Sequence, residues 1–248
     1  MTLVLKMFFH DMKRILFFLF AAWLMAQTVD ARIYAVCVGL SDYPGTRNDL
    51  TVSANDARSM SKLLKDNSAG HEVKLLTNQN ATLSNVRNMI YNTFLAAGPN
   101  DDIVFYFSGH GIRGSFVCYN GMLTYSSILA TMGRSRARSK VIYADACYAG
   151  DIRQNRGRAN SRTPKNVMFF LSSRSNERSQ EWYGHPNSKF TAFLLEGLRG
   201  AADTDRNRVV TAIELYTYVK SRLSANSRIQ HCVMWGNFER NMPLMRWR

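Results

Sequence analysis

The chain has 248 residues, of which 46% are hydrophobic, enough for one substantial α/β domain and too apolar for a disordered chain. Its formal net charge of +14 favours contact with anionic surfaces without bearing on the fold. The densest basic stretch places nine Lys and Arg residues between Arg134 and Lys165 against only Asp145 and Asp151, with no nucleic-acid motif and no aromatic stacking platform beside it. A solvated basic loop is expected, and no specific nucleic-acid partner.

At the N-terminus Lys13-Arg14 precede an apolar stretch, Ile15 to Ala26, that ends in small and polar residues. This reads as a signal peptide over residues 1–26, with Met12 as an alternative start. An exported protein, periplasmic or secreted, is therefore expected, with no stable membrane span after cleavage. An uncleaved anchor is the alternative, because residues 2–5 and 7–9 could lengthen the segment. Cleavage would remove three basic residues and one acidic residue, leaving +12.

From Arg32 strands and helices alternate. A strand Arg32 to Val38 leads into the turn-rich Gly39 to Gly45, and a helix follows that starts at Asn55 or Asp56 and buries Met60, Leu63 and Leu64. Next come a strand Glu72 to Leu76 and a helix capped near Thr82 or Ser84, with Val86, Met89, Ile90, Phe94 and Leu95 at helical spacing. A strand Asp102 to Phe107 follows, then a short helix Tyr125 to Met132, a strand beginning at Lys140, and a strand Val167 to Leu171. Helices Phe190 to Leu198 and Ala212 to Leu223 precede a last strand, His231 to Trp235. Such alternation predicts right-handed crossovers and a mainly parallel sheet with helices on both faces, in a single domain over residues 31–240. Residues 151–165 read as one long mobile basic loop inside it, carrying Arg and Lys sites for nicking.

Two strands run into chemistry. Asp102 to Phe107 leads to Ser108-Gly109-His110-Gly111, and Lys140 to Ala144 leads to Asp145-Ala146-Cys147. Ligands bind beyond the carboxyl ends of such strands, so His110 and Cys147 are expected at one rim. A thiol beside an imidazole makes a thiolate nucleophile, and the backbone N–H groups of Gly111 and Cys147 are the expected oxyanion donors. Of the other cysteines, Cys37 sits in an apolar strand as a small hydrophobe, which leaves Cys118 and Cys232 as the one conceivable disulfide.

The two motifs, in this order and in this pattern of elements, resemble the caspase-like cysteine peptidases, in which a His-Gly pair ends one strand and an Ala-Cys pair, preceded by Gln or Asp, ends the next. Asp145 matches the metacaspase-like variant, whereas Tyr148-Ala149-Gly150 departs from both. The resemblance implies a caspase-like α/β fold and an endopeptidase acting through a Cys147/His110 dyad. It also implies a substrate pocket containing Asp145, with Asp42 as its second carboxylate or merely a turn residue. Two carboxylates would select Arg or Lys before the scissile bond, so the expected partner is a protein or peptide with basic residues. By the same resemblance Ser172 and Ser173 lie where substrate is held as an added strand, or are ordinary loop serines. An inactive caspase-fold domain contacting a partner or an anionic polymer is the alternative.

No cofactor is required by this chemistry. Asp203, Asp205, Asn207 and Glu214 nevertheless follow the spacing of a twelve-residue calcium loop, with Arg208 where glycine is expected. The segment is either a weak calcium site or a turn that starts a helix.

Overall fold

The computed structural model describes residues 31–147, 164–174 and 181–247. The expected signal peptide over residues 1–26 therefore lies outside the described residues, as does almost all of the expected basic loop 151–165. No helix among the described residues is long and apolar enough to cross a membrane.

Five parallel strands form the core of the sheet: β1 (Ile33–Gly39), β2 (Glu72–Thr77), β3 (Asp102–Gly109), β7 (Ser139–Ala146) and β8 (Val167–Leu171). With β10 (Val233–Asn237) the order is β10-β8-β7-β3-β1-β2. Apart from the half-buried Asp102 at the start of β3, the central strands are buried along their length, which explains their unbroken apolar runs. Alternation then divides their side chains between two cores. Ile103, Phe105 and Phe107 face α2 (Leu83–Ala96) and α3 (Tyr125–Arg134). Val104 and Tyr106 face α1 (Ser53–Asn67), α4 (Lys189–Glu196) and α5 (Ala212–Asn226). Mainly parallel strands with helices on both faces are what the alternating pattern predicts.

Three features depart from that pattern. A small antiparallel sheet, β4 (Gly111–Ile112), β5 (Ser115–Cys118) and β6 (Gly121–Thr124), follows the histidine directly, its strands too short to stand out as apolar runs. A two-stranded sheet pairs β9 (Val209–Thr211) with β11 (Pro243–Arg246). Lastly, β10 pairs antiparallel to β8. Two helices, α4 and α5, separate β8 from β10, so the chain reverses twice and the single-helix crossover that enforces parallel neighbours does not apply.

Candidate active site

The ladder between β3 and β7 pairs Gly109 with Ala146, so His110 and Cys147 are the next residues out of two adjacent strands. The sequence reading expected this juxtaposition. Gly111 makes it close: a Cβ built there would stand 2.3 Å from the Cys147 carbonyl oxygen and 3.1 Å from the Ala146 Cβ, so only glycine fits. Gly111 and Cys147, the two expected oxyanion donors, are thus brought together.

His110 is half-buried, and its ring is fixed by groups that the sequence did not reveal. Nε2 lies 2.6 Å from the backbone carbonyl of Asn48. A carbonyl only accepts, so Nε2 carries the hydrogen and Nδ1 is left as the proton acceptor. The His110 N–H donates to the Tyr43 hydroxyl at 2.8 Å, and the two rings lie 4.7 Å apart. Burial pushes the Tyr43 phenol well above its usual range, so it remains neutral. The loop bearing Asn48 is tied back by a Tyr43 N–H bond to Asp49 Oδ1 at 3.0 Å and by a Leu50 N–H bond to the Ser41 carbonyl at 2.8 Å.

Cys147 is partly exposed, whereas Cys37, Cys118 and Cys232 are buried free thiols that burial pushes up to about 12. The conceivable Cys118–Cys232 disulfide is absent, because the two residues belong to cores on opposite faces of the sheet. Ser172 and Ser173 are wholly buried and offer no open edge for an added strand. Their hydroxyls instead hold Ala146, the residue before Cys147. Ser172 Oγ accepts the Ala146 N–H at 3.2 Å, and Ser173 Oγ donates to the Ala146 carbonyl at 2.9 Å.

Asp145 is buried, and its carboxylate accepts hydrogen bonds from the Ser188 hydroxyl and, at 2.8 Å, from Thr191 Oγ1. The second carboxylate beside it is Asp56 of α1. Asp42 is exposed, with its backbone N–H on Asn78 Oδ1, so it stands as a turn residue apart from this cluster. Asp56 accepts hydrogen bonds from Asn187 Nδ2 (2.9 Å) and the Ser188 N–H (3.0 Å) on Oδ1, and from Ser108 Oγ (2.9 Å) on Oδ2. Burial first, then the Asp145 charge, pushes it up to about 7. Asp56 had a readable signal: with Met60, Leu63 and Leu64 it completes an i, i+4, i+7, i+8 stripe, a carboxylate on the apolar face of a helix. Ser108 had one too, since it precedes His110 by two residues as Asp145 precedes Cys147. The segment leading into the cluster is anchored over the start of α1. Glu181 Oε1 accepts the N–H groups of Thr51 (2.6 Å) and Val52 (3.0 Å), and Asn55 Nδ2 donates to the Pro186 carbonyl (2.8 Å).

Away from the rim, carboxylate oxygens of Asp203, Asp205 and Glu214 lie within 4.8 Å of one another. Asn207 takes part in the same turn, its N–H donating to Asp203 and Asp205, each at 3.1 Å. Arg208 adopts φ 65°, the left-handed conformation that a calcium loop gives to glycine. Both Glu214 oxygens are already engaged, Oε1 by Thr204 and Oε2 by Thr211 in the capping box of α5. Burial would raise Glu214, but the hydrogen bonds from Thr211 and Thr204 outweigh it and hold the carboxyl below its usual range.

A family model described as the caspase domain matches residues 32–243. No curated protein matches the sequence. Similar solved structures include a protein from Geobacter sulfurreducens, with TM-score 0.68 and 16% identity over 88% of this chain and 100% of that one. Caspase-1 from Spodoptera frugiperda gives TM-score 0.66 and 16% identity over 88% and 92% of the two chains. Pro-sf-caspase-1 gives 0.65 and 14% over 86% and 94%. At these identities the structural likeness establishes the fold.

Proposed function

The chain belongs to the caspase-domain peptidase family, and from that premise we propose that it is an exported cysteine endopeptidase cleaving after Arg or Lys. The observation that carries the chemistry is the clamp on His110. With Nε2–H held by the Asn48 carbonyl at 2.6 Å, Nδ1 is the base that takes the Cys147 thiol proton. The thiolate attacks the scissile carbonyl carbon, and the resulting oxyanion is received by the Gly111 and Cys147 N–H groups. His110 returns the proton to the leaving amine, after which water hydrolyses the thioester with His110 again acting as base. No other residue need exchange protons, so the Cys147/His110 dyad suffices.

Substrate preference follows from the buried carboxylates. Asp145 precedes Cys147 by two residues and Asp56 shares Ser188 with it, so a side chain entering from the rim meets two acceptors of negative charge. Guanidinium and ammonium groups fit such acceptors, while an acidic side chain would be repelled. The stretch 181–186 turns back on itself through a His185 N–H bond to the Trp182 carbonyl at 2.9 Å and runs directly into Asn187 and Ser188, which brings its exposed residues Glu181, Tyr183, Gly184 and Pro186 to the approach that a peptide would take to the carboxylates. The partly exposed Cys147 thiol, next to an imidazole oriented by the Asn48 carbonyl, favours catalysis over a purely binding role. The test is a peptide-library cleavage profile of the chain from residue 27 onward. Cleavage after Arg and Lys is expected, and Asp145→Asn should weaken that selection more than it slows turnover of a neutral substrate. A profile favouring Asp before the scissile bond would overturn the reading.

A further inference from the structure

The hydrogen bonds around Asp56 are unequal in a way that bears on its charge. Oδ1 receives two N–H donors, from Asn187 and Ser188, as a carbonyl oxygen would. Among the described residues Oδ2 has one partner, the Ser108 hydroxyl at 2.9 Å, and a hydroxyl can turn to accept as readily as it donates. This set of partners therefore accommodates a protonated carboxyl, with O–H on Oδ2 donating to Ser108 Oγ and both bonds to Oδ1 retained. Every one of these donors is uncharged. Meanwhile the Ser188 hydroxyl is bonded to Asp145, which places a second carboxylate one residue away from the first. Both aspartates are buried, and two neighbouring carboxylates removed from water do not readily ionise together.

We propose that Asp56 carries a proton in the substrate-free protein and releases it to solvent when a basic side chain enters beside Asp145, so that binding a basic peptide and releasing a proton are one event. The inference rests on the substrate preference proposed above and adds to it how an acidic pocket can stay buried before substrate arrives. The balance is simple. The Asp56 O–H bond breaks, the proton passes to water or buffer, and the incoming guanidinium or ammonium supplies the charge that keeps the carboxylate ionised. The upward push on Asp56, from burial and then from Asp145, agrees with this geometry.

Among the described residues, the titratable groups around Asp56 come from three elements. From β3 there is Tyr106, whose hydroxyl is bonded to Thr191 and which burial keeps neutral. From β7 there is Asp145. From the segment before α4 there is His185, whose Nδ1 accepts the Asn187 N–H, and Lys189, whose ammonium donates to the Asn226 carbonyl.

Calorimetry on the Cys147→Ala chain tests the coupling, using an arginine-containing peptide in two buffers of different ionisation enthalpy. At pH 6 the heat should differ between buffers by close to one released proton, and at pH 9 by almost none. The affinity should rise about tenfold per pH unit below 7 and then level off. Adding Asp56→Asn should abolish the buffer dependence, which separates Asp56 from His185. A peptide that binds with equal heats at pH 6 overturns the proposal while leaving the pocket assignment intact. A basic peptide that binds no better than its citrulline counterpart overturns the pocket assignment and the coupling with it. Infrared difference spectra of the unliganded protein test the proton itself. The carbonyl band of a protonated carboxyl should be present at pH 6, lost at pH 9, absent in Asp56→Asn, and lost at lower pH in Asp145→Asn. Its absence from the unsubstituted protein at pH 6 overturns the proposal independently of any peptide.

Discussion

Replacing Gly111 by alanine tests whether the catalytic rim depends on the close approach of two strand ends. The new Cβ would stand 2.3 Å from the Cys147 carbonyl oxygen and 3.1 Å from the Ala146 Cβ, whereas ordinary contact begins at 3.4 Å. The carbonyl must therefore retreat by about 1 Å, because neither neighbour is the flexible end of a side chain. Backbone displacement of this kind costs about 1–3 kcal/mol of stability. A misplacement of about 1 Å at the nucleophile lowers turnover by roughly 100-fold. Gly133→Ala is the matched control. It lies in α3 with its nearest neighbour, Pro164 Cγ, at 3.5 Å, so the alanine should fit and favour the helix by up to about 1 kcal/mol. The assay is kcat on an arginine peptide alongside thermal melting of both variants. A Gly111→Ala protein with normal kcat and an unchanged melting temperature would refute the argument.

Asp56 also makes stability depend on pH. Its carboxyl sits near 7 in the folded chain against 3.8 unfolded, so it contributes stability that is fully present below pH 4 and lost as pH rises through 7. Asp56→Asn keeps the acceptor Oδ1 without the charge, so its stability relative to the unsubstituted protein should climb between pH 4 and pH 8, by at most about 4 kcal/mol, in denaturant titrations. A difference that stays constant with pH would remove the buried-charge explanation. Ser172→Ala deprives the Ala146 N–H of its acceptor, at a cost of about 1–3 kcal/mol, and should lower kcat while leaving KM unchanged. A selective rise in KM would instead place Ser172 in the substrate groove. At the Asp203–Glu214 turn, calcium should raise the melting temperature by mass action, and Glu214→Gln should remove most of that gain; identical curves in chelator and in calcium would dismiss an ion there.

Much of this architecture was legible because buried parallel strands write themselves as unbroken apolar runs. Asp102 to Phe107, Lys140 to Ala144 and Val167 to Leu171 could be placed to within two residues, and with them the positions of His110 and Cys147 at one rim. What escaped were contacts between residues far apart in sequence. The carbonyl of Asn48 has no side-chain signature, yet it sets which nitrogen of His110 carries the hydrogen. The resemblance points to Asp42 in the turn after β1, and the pattern around Asp56 reads as a helix start; the turn instead leaves Asp42 exposed, and it is the first turn of α1 that carries a buried carboxylate, Asp56. Ser172 and Ser173 occupy the anticipated place in the chain. Strand β8 lies inside the sheet, however, so its end supports Ala146 rather than presenting an edge.

The most direct test of the account is covalent labelling of the intact chain with a thiol-reactive peptide ketone bearing arginine as its recognition residue, read by mass spectrometry of the digested protein. Label should appear on Cys147 alone, because Cys37, Cys118 and Cys232 are buried thiols pushed up to about 12. It should vanish in Cys147→Ala, and in His110→Ala its rate should fall by at least about 100-fold, as expected for a nucleophile deprived of its base. Label spread over the four cysteines, or a rate indifferent to His110, would contradict the assignment of a Cys147/His110 peptidase.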